Sequence, residues 1–284
     1  MKTALIMEGG AMRGMFTCGV MDVLMEQGIA FDAAAGISAG AAFGCNFKSG
    51  QIGRPIRYNM RYCGDPRYQS LRSLIRTGDL YGADFCYREL PDRLDPFDRK
   101  AFRENPMAFY VGAFDVETGE MAYHRCLDGS DEDILWMRAS ASMPMVSRPV
   151  EIGGRKLLDG GILEPTPYFF MESLGYRRNV VILTQPEAYR KPRSPGLPLV
   201  RLLMRQYPNV SEALARRHEN YNRHIARICQ REARGEALVI RPREPLRIHR
   251  TEKDPRALER VYMLGRQQAE ERIDAIRLFL QGNG

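Results

Sequence analysis

Residues 3 to 47 read TALIMEGGAMRGMFTCGVMDVLMEQGIAFDAAAGISAGAAFGCNF. Thr3 to Met7 is an apolar run that stops near two glycines, and Phe31 to Ala35 is a second short run. Each is followed by a helical pattern, over residues 14–27 and 39–47. Alternation of strand and helix is typical of α/β folds, in which helices cover both faces of a parallel sheet. We therefore expect a three-layer α/β/α sandwich with a mainly parallel central sheet.

The pattern continues as far as residue 185 with one interruption. Strands are predicted over 108–115, 121–126, 149–152, 156–158 and 180–184, and helices over 130–141 and 166–174. The first four strands form two predicted hairpins, and Gly153 and Gly154 lie at the turn of the second. Ser130 and Asp133 have the spacing of a helix cap. Between residues 51 and 98 the pattern weakens and only 71–75 is helical, so we expect an insertion or a lid there.

The C-terminal part is predicted to be mostly helical. Residues 186–198 form a connector rich in proline and arginine, and Asn209 with Glu212 is a candidate capping box for a following helix. A strand is predicted over 237–240. The aspartate–proline pair at 254–255 predicts the start of a final helix that ends near Leu280. The predicted division is a catalytic domain over residues 1–185 and a C-terminal region over 186–284 that packs on it or is appended to it.

Composition restricts the class of protein. The 284 residues are 44% hydrophobic, which is ordinary for a globular chain of one large domain or one domain with an appendage. No apolar run is long enough to cross a membrane, and Glu8 and Arg13 interrupt any signal-peptide core. The six cysteines have neither metal-ligand spacing nor disulfide density. We expect reduced, mostly buried thiols, a mature chain that starts at Met1, and a cytoplasmic location.

The positive charge is confined to one part of the chain. The net charge is +7, and residues 187–260 carry 18 lysines and arginines against nine acidic residues. The other 210 residues therefore carry a slight negative balance. A basic surface favours anionic partners, namely nucleic acid or an anionic membrane, although a solvated helix face has the same composition. No helix-turn-helix, zinc-finger or RNA-binding signature is found, so nucleic acid is not expected.

The sequence Gly36-Ile37-Ser38-Ala39-Gly40 is a G-x-S-x-G pattern between a predicted strand and a predicted helix. Glycines two residues before and after the serine permit the strained turn of a nucleophile elbow, which exposes the hydroxyl group. The helix N-terminus beneath it offers N–H groups to an anionic intermediate. Ser38 is therefore a candidate nucleophile. The same residues are also compatible with Ser38 as an ordinary helix N-cap.

A second glycine-rich segment, Gly9-Gly10-Ala11-Met12-Arg13-Gly14, follows the first strand. Small residues at a strand end let backbone N–H groups converge on an incoming oxygen, as in an oxyanion hole. The alternative is a dinucleotide-binding turn, because Gly9, Ala11 and Gly14 approximate G-x-G-x-x-G and Asp32 follows about 18 residues later. Alanine at the second glycine position makes this match poor.

Asp159-Gly160-Gly161 follows a predicted strand, so the aspartate can lie at the tip of the sheet. A carboxylate there could accept the serine proton or hold a water that does so, although an aspartate in a plain turn has the same pattern. A Ser-Asp-His order remains open, because His218, His224 or His249 could follow Asp159. His124 lies within a predicted strand.

Taken together, the Gly9–Gly14 segment, Gly36–Gly40 and Asp159–Gly161 resemble the motifs of the patatin-like phospholipases over residues 1 to 185. The segment Ala139-Ser140-Ala141-Ser142-Met143-Pro144 is similar to the family's alanine- and serine-rich stretch. The resemblance implies a Ser-Asp dyad of Ser38 and Asp159, with an oxyanion hole in the Gly9–Gly14 loop aided by Arg13. Ala11 departs from the family, since many members have glycine there. The basic C-terminal region resembles an appendage of the family's bacterial cytosolic branch.

These observations predict a serine acyl hydrolase that cleaves lipid esters through an acyl-enzyme, without a metal or other cofactor. The basic C-terminal region is expected to contact anionic membrane surfaces peripherally. Two alternatives remain: a Rossmann-like nucleotide-binding protein that uses the Gly9–Gly14 turn, and a non-catalytic regulatory or adaptor protein. Acyl-chain preference, headgroup preference and oligomeric state are not encoded in these motifs.

Overall fold

The central feature of the computed structural model, which describes residues 1–194, 196 and 202–282, is a mixed sheet of eight strands. The strands are β1 Thr3–Met7, β2 Ala33–Ile37, β3 Ala108–Asp115, β4 Met121–Cys126, β5 Val150–Ile152, β6 Arg155–Asp159, β7 Arg178–Ile182 and β8 Ala237–Ile240. Their order is β5-β6-β3-β2-β1-β7-β8, and β4 also pairs with β3. The central strands are parallel, whereas β4 and β6 run antiparallel to β3, and β5 runs antiparallel to β6.

Helices cover both faces of this sheet. They are α1 Gly14–Glu26, α2 Ala39–Ser49, α3 Arg54–Tyr62, α4 Leu71–Thr77, α5 Arg99–Glu104, α6 Asp131–Ser140, α7 Tyr168–Ser173, α8 Pro208–Ala233, α9 Pro255–Glu270 and α10 Ile273–Gln281. Short 3₁₀ turns span Ala11–Arg13 and Gly160–Ile162, and Phe85–Leu94 is a π-helical segment. Of the helices in the described part of the chain, none combines the length and hydropathy needed to cross a bilayer.

The three layers follow from the side-chain alternation of the strands. In β1, Leu5 and Met7 are buried in the core shared with α1, α2 and α9, whereas Ala4 and Ile6 are buried in the core shared with α7 and α8. Successive residues of a strand point to opposite faces, so a wholly apolar strand indicates a sheet buried on both sides. The predicted three-layer α/β/α sandwich with a mainly parallel sheet is therefore confirmed.

The strand β3 brings two other strand ends together. Ile37, the last residue of β2, pairs with Gly112, and Asp159, the last residue of β6, pairs with the adjacent Ala113. Since β2 is parallel and β6 antiparallel to β3, the two strands point their carboxyl ends towards each other. The residue after β2 therefore lies beside the end of β6. That residue is Ser38.

Several predicted elements differ in the structure. The second strand spans 33–37 rather than 31–35, because the Asp32 carboxylate is bound by the Thr3 N–H and hydroxyl groups at the strand's start. Residues 51–98 contain α3, α4 and the π-helical segment rather than one short helix. The final predicted helix is two helices, which are separated near Arg272. Part of the predicted connector, residues 195 and 197–198, lies outside the described residues.

The predicted capping box at Asn209 is wrong. The helix α8 begins at Pro208, and the Asn209 side chain donates instead to the backbone carbonyls of Val116 and Glu117, at 3.3 and 2.7 Å. Tertiary contacts therefore prevail over the local cap. Ser130 likewise forms no side-chain cap on α6 within the described residues, although the helix has nearly the expected bounds.

The C-terminal part is closely joined to the rest of the fold. Strand β8 extends the sheet beside β7, and α9 crosses α1 at two glycines. A Cβ atom on Gly19 would lie 2.0 Å from the Tyr262 carbonyl oxygen, and one on Gly265 would lie 2.0 Å from the Phe16 carbonyl oxygen. This approach requires glycine on both helices. The predicted domain boundary near residue 186 remains a prediction.

Candidate active site

Ser38 lies in a sharp turn between β2 and α2. Its backbone is in an unusual conformation, with φ 57° and ψ −122°, and among the described residues its side chain makes no cap hydrogen bond to α2. A Cβ atom on Gly36 would lie 2.1 Å from the Gly40 carbonyl oxygen, and one on Gly40 would lie 2.5 Å from the Met7 carbonyl oxygen. Both glycines are thus required by close backbone approach. A positive φ at a serine is strained, and such strain is typical of a nucleophile elbow.

Asp159 is buried at the end of β6, with 1% of its surface exposed. Its Oδ1 accepts a hydrogen bond of 2.7 Å from the Gly161 N–H. Burial raises the pKa of Asp159 to about 6, and the neighbouring Ser38 hydroxyl and the Gly161 N–H partly oppose that shift. Oδ2 has no hydrogen-bond partner among the described residues. The Ser38 hydroxyl therefore lies beside this carboxylate without a well-formed hydrogen bond to it.

The Ala139–Pro144 segment holds both groups in place. Ser140 Oγ accepts from the Ser38 N–H at 2.9 Å and donates to the Gly112 carbonyl at 2.6 Å. The Asp159 N–H donates to the Ser142 carbonyl at 2.8 Å. The two serines thus connect the turn after β2, the strand β3 and the end of β6, which fixes the spacing of Ser38 and Asp159.

The glycines after Asp159 allow its loop to pass close to the sheet. A Cβ atom on Gly160 would lie 2.8 Å from the Gly112 carbonyl oxygen, and one on Gly161 would lie 3.0 Å from Asp159 Oδ1. Larger residues at either position would therefore displace the loop or the carboxylate.

The Gly9–Gly14 loop passes directly over the turn at Ser38, where a Cβ atom on Gly9 would lie 2.8 Å from Ser38 Cβ. Three of its N–H groups are already bonded: Gly9 to Pro165, Arg13 to Gly10, and Gly14 to Ala11. The N–H groups of Gly10, Ala11 and Met12 have no acceptor within the part of the chain that the structure describes. Of these three residues, Gly10 and Ala11 line a small cavity together with Ser38.

Three residues of this loop are distinguished by their backbone conformation, burial or side-chain contact. Ala11 has φ 49°, a left-handed conformation that normally favours glycine. The alanine therefore adopts a backbone conformation that glycine reaches without strain. The Met12 side chain is buried in the core, and Arg13 Nε lies 3.5 Å from Thr184 Oγ1.

Asp32 does not support the dinucleotide alternative. Its carboxylate is bound at the amino end of β1, 2.7 Å from the Thr3 N–H. The glycine-rich loop follows the carboxyl end of the same strand. A strand of five residues is roughly 16 Å long, so the two lie at opposite edges of the sheet. In dinucleotide-binding folds, the acidic residue and the glycine turn lie at the same edge.

The four histidines, all within the described residues, lie away from Ser38, and none lines a cavity next to it. His124 bonds to Asp133 at 2.7 Å, and His218 is near Glu219. His224 is buried against Thr166, and burial lowers its pKa to about 3. His249 lies in an exposed loop. A Ser-Asp-His triad is therefore not assembled.

Two cavities meet at Ser38. The larger has a volume of about 560 Å³ and is mainly apolar, and the smaller, about 60 Å³, is lined by several charged side chains. The walls of the larger cavity come from α2, α6 and the segment over residues 51–98 that the sequence predicted as an insertion or lid. Ala11, Ser38, Met143, Arg217 and Arg250 border both cavities.

The smaller cavity contains side chains that sequence reasoning missed. Glu8 is 1% exposed, and its carboxylate accepts from the Thr184 hydroxyl at 3.0 Å and the Tyr221 hydroxyl at 2.8 Å. Arg217 Nε donates to the Gly161 carbonyl at 2.7 Å. For Glu8, the sequence signal that could have identified it was its position as a charged residue directly after an apolar strand. Nothing in the helical pattern distinguished Arg217 from its neighbours.

One group of potential metal ligands lies elsewhere. Ligand atoms of His124, Cys126 and Asp133 lie within 4.8 Å of one another. Asp133 also accepts three backbone N–H bonds from residues 127–129, so it closes the loop before α6. The sequence spacing did not predict this group. All six cysteines are free, and four of them are buried.

Comparison with known proteins places these motifs in a family context. A model of the patatin-like phospholipases matches residues 5–170, and a model of a domain of unknown function, DUF6363, matches residues 207–281. The uncharacterized protein YjjU of Escherichia coli is 31% identical over 195 residues, which are 65% of this chain and 52% of that protein. An uncharacterized NTE family protein of Mycobacterium tuberculosis is 27% identical over 168 residues, which are 58% of this chain and 44% of that protein.

The matched part therefore spans about half the length of these relatives. The crystal structure of VipD from Legionella pneumophila aligns with 95% of this chain and 67% of that chain, with a TM-score of 0.43 and 12% identity.

Proposed function

The chain belongs to the patatin-like phospholipase family, whose model matches more than half of its residues, and on that premise we propose that it is a serine acyl hydrolase of lipid esters. Ser38 is the nucleophile and Asp159 the general base. The observation that carries the proposal is the approach of these two residues where β2 and β6 meet end to end along β3, in a turn that only glycines at 36 and 40 permit.

The environment of Asp159 suits a base. Burial raises its pKa to about 6, so at neutral pH the carboxylate is ionised and still basic enough to accept a proton. The unpartnered Oδ2 is available for the Ser38 hydroxyl. A base near the operating pH is more effective than an ordinary aspartate, whose pKa is about 4.

The reaction then has two balanced halves. Ser38 Oγ attacks the ester carbonyl carbon while its proton passes to Asp159, and the N–H groups of Gly10 and Ala11 donate to the resulting oxyanion. The carbon–oxygen bond to the alcohol breaks, and the alcohol leaves with the proton from Asp159. A water molecule next attacks the acyl-Ser38 ester and gives its proton to Asp159. Ser38 regains that proton, and the free fatty acid is released.

The larger cavity supports a lipid acyl chain as the group that is transferred. It begins at Ser38, has a volume of about 560 Å³, and is lined by apolar side chains such as Leu80, Leu90 and Met137. Sites that bury most of an apolar ligand have this size and lining. Such a cavity is not needed by an adaptor protein.

The basic C-terminal region supports peripheral contact with the anionic inner face of a membrane. Arg216, Arg223 and Arg227 are exposed on α8. Lysine and arginine clusters are attracted to anionic lipid surfaces, and salt screens that attraction. We expect neutralisation of these three arginines to weaken activity on anionic vesicles and its salt dependence. Unchanged activity and salt dependence would remove this part of the proposal.

To test the proposal, the protein is incubated with a fluorophosphonate probe and the labelled protein is detected by its intact mass. We expect labelling of the wild type and of Ser147→Ala, a serine that lines the larger cavity, but not of Ser38→Ala or Asp159→Ala. A variant with glutamine at all four histidines should still be labelled if its circular dichroism shows that it is folded. Labelling that depends on a histidine would overturn the dyad. A folded wild type without labelling would overturn the hydrolase.

A further inference from the structure

The smaller cavity beside Ser38 is lined by four cationic side chains: Arg13, Lys191, Arg217 and Arg250. Arg13 comes from the glycine-rich loop. The other three come from residues beyond the part that matches the patatin-like model, which ends at residue 170. This part of the site is therefore supplied by the C-terminal region of the chain, for which the family match implies no role.

The four cations are not neutralised by ion pairs. Among the residues that the structure describes, none of them lies within salt-bridge distance of an aspartate or glutamate, whereas other arginines of the chain form many such pairs. Burial lowers the pKa of Arg217 despite the nearby Asp159. Burial, together with Arg217 and Arg13, lowers the pKa of Lys191 to about 8. Positive side chains thus outnumber carboxylates around this cavity, four to two.

The carboxylates at this cavity have other partners. Glu8 is bound by Thr184 and Tyr221, and Asp159 is bound by the Gly161 N–H. With both carboxylates ionised and the four cations protonated, the lining has a net charge of +2. Arg13, Lys191 and Arg217 are partly buried and Arg250 is exposed, and such an excess of positive charge in a partly enclosed site attracts anions. The charge therefore favours a dianion.

We propose that this cavity binds the phosphate group of the substrate, and that the chain prefers lipid esters with a terminal phosphomonoester headgroup. The inference rests on the proposed hydrolase function and deepens it. The two cavities meet at Ser38, so the phosphate and the acyl chain lie on opposite sides of the ester. The smaller cavity, at about 60 Å³, has about twice the volume of a water molecule in the liquid, so it has room for a phosphate group.

The contacts suit phosphate chemistry. Arginine binds phosphate through paired N–H donors, and lysine binds it as a compact charge. Lys191 is held 4.4 Å from the centre of the Tyr221 ring, and Arg217 is held by the Gly161 carbonyl. Both side chains are therefore positioned before a ligand arrives, which reduces the ordering entropy that binding requires.

The experiment compares 1-acylglycerol 3-phosphate, its choline ester and 1-acylglycerol, all with the same acyl chain, in uncharged detergent micelles. The variants are Lys191→Gln/Arg250→Gln and the matched control Lys253→Gln/Arg256→Gln, which removes one exposed lysine and one exposed arginine outside both cavities. We expect the wild type to prefer the phosphomonoester by kcat/KM. The ratio of phosphomonoester to neutral ester should fall about ten- to a hundredfold in the first variant and stay constant in the control.

A second arm separates a lipid headgroup from free phosphate. Inorganic phosphate and glycerol 3-phosphate are tested as inhibitors of 1-acylglycerol hydrolysis. Inhibition that Lys191→Gln/Arg250→Gln weakens, together with the substrate preference, supports the headgroup subsite. Inhibition by inorganic phosphate without any substrate preference would overturn it in favour of a site for a free anion.

These measurements distinguish a wrong phosphate subsite from a wrong hydrolase function. If Ser38 is labelled and the neutral ester is hydrolysed, but the ratio is equal in wild type and variant, the subsite is wrong and the hydrolase stands. If neither labelling nor hydrolysis of any ester occurs in the folded protein, both are wrong. Circular dichroism of each variant separates loss of folding from loss of binding.

Discussion

The two sides of the cleft at Ser38 are constructed differently. On one side, Ser38, Asp159 and the Gly9–Gly14 loop lie at strand ends. Glycines let the neighbouring segments pack so closely there that a Cβ atom added at these glycines would lie only 2 to 3 Å from other atoms. On the other side, Lys191, Arg217 and Arg250 reach the cavity as long side chains from the C-terminal region. The first arrangement depends on the spacing of backbone segments, whereas the second depends on the contacts that hold long side chains.

This difference matches the two tasks that we propose. Acyl transfer needs the reacting atoms about 3 Å apart and well aligned, which a rigid sheet edge supplies. Recognition of an anion needs charge within a few ångströms, and long cationic side chains held near the cavity can supply it. We therefore expect substitutions at the strand ends to affect the rate of hydrolysis most. Substitutions among the long side chains of the C-terminal region should affect substrate selectivity and protein stability.

The largest expected effect is that of Asp159→Asn. Loss of the base should lower kcat/KM on a neutral ester by about 10³-fold or more. The same change should raise the free energy of unfolding at pH 8 by about 1 to 3 kcal/mol, because the wild type buries a carboxylate whose pKa is raised to about 6. Kinetics and urea denaturation check both effects.

The sign of this change in the free energy of unfolding follows from proton binding to Asp159. Between pH 3.8 and about 6 the folded state holds a proton on Asp159 that the unfolded state has lost, so stability falls as pH rises through this window. The stability difference between Asp159→Asn and wild type should therefore narrow as the pH is lowered to 4.5. A difference independent of pH would contradict the raised pKa.

The pH dependence of the wild type should be the next largest effect. Because Asp159 must be ionised to accept the Ser38 proton, kcat/KM should fall about tenfold per pH unit below its pKa of about 6. Activity at pH 4 would then be about a hundredth of the plateau. A neutral, soluble ester as substrate keeps the cationic cavity out of this measurement. An acid limb centred near pH 4 instead would exclude Asp159 as a base with a raised pKa.

Tyr221→Phe tests the hydrogen bond between α8 and Glu8, which connects the C-terminal region to the end of β1. The Tyr221 hydroxyl donates to the buried Glu8 carboxylate at 2.8 Å, so its loss should lower the free energy of unfolding by about 1.5 to 3 kcal/mol. Tyr189 is the matched control, because its ring lies 5.9 Å from that of Tyr221 and its hydroxyl has no hydrogen bond among the described residues. Tyr189→Phe should change stability by less than about 0.5 kcal/mol. Equal losses in the two variants would indicate ring packing rather than the Glu8 bond.

The smallest effect concerns Ala11→Gly. Ala11 has φ 49°, so glycine should relieve strain and raise the free energy of unfolding by about 0.5 to 1 kcal/mol, with the hydrolysis rate retained. Ala41→Gly, within the helix α2, should have the opposite sign. Thermal unfolding and ester kinetics measure both variants. Destabilisation by Ala11→Gly would mean that the loop backbone is not strained.

Local features of the site were predictable from sequence because they depend on neighbouring residues. The strand β1, the helices α1 and α2 and the turn at Ser38 follow from periodicity and from glycines at fixed offsets. The aspartate cap of α9 is of the same kind, since the Asp254 side chain accepts from the Arg256 N–H. Each of these signals lies within a few residues of the feature that it predicts.

Other features depend on residues far apart in the chain. The registers of β2 and β6 on β3 bring Ser38 to Asp159, and no local pattern specifies a register across 120 residues of chain. Asn209 bonds to a distant loop rather than to its own helix, and Arg217 faces the cavity because α8 packs with that side inward. Residue type and spacing therefore determined the candidate chemistry of this protein. Only tertiary packing, which selects the face that each helix buries, decided which charges surround it.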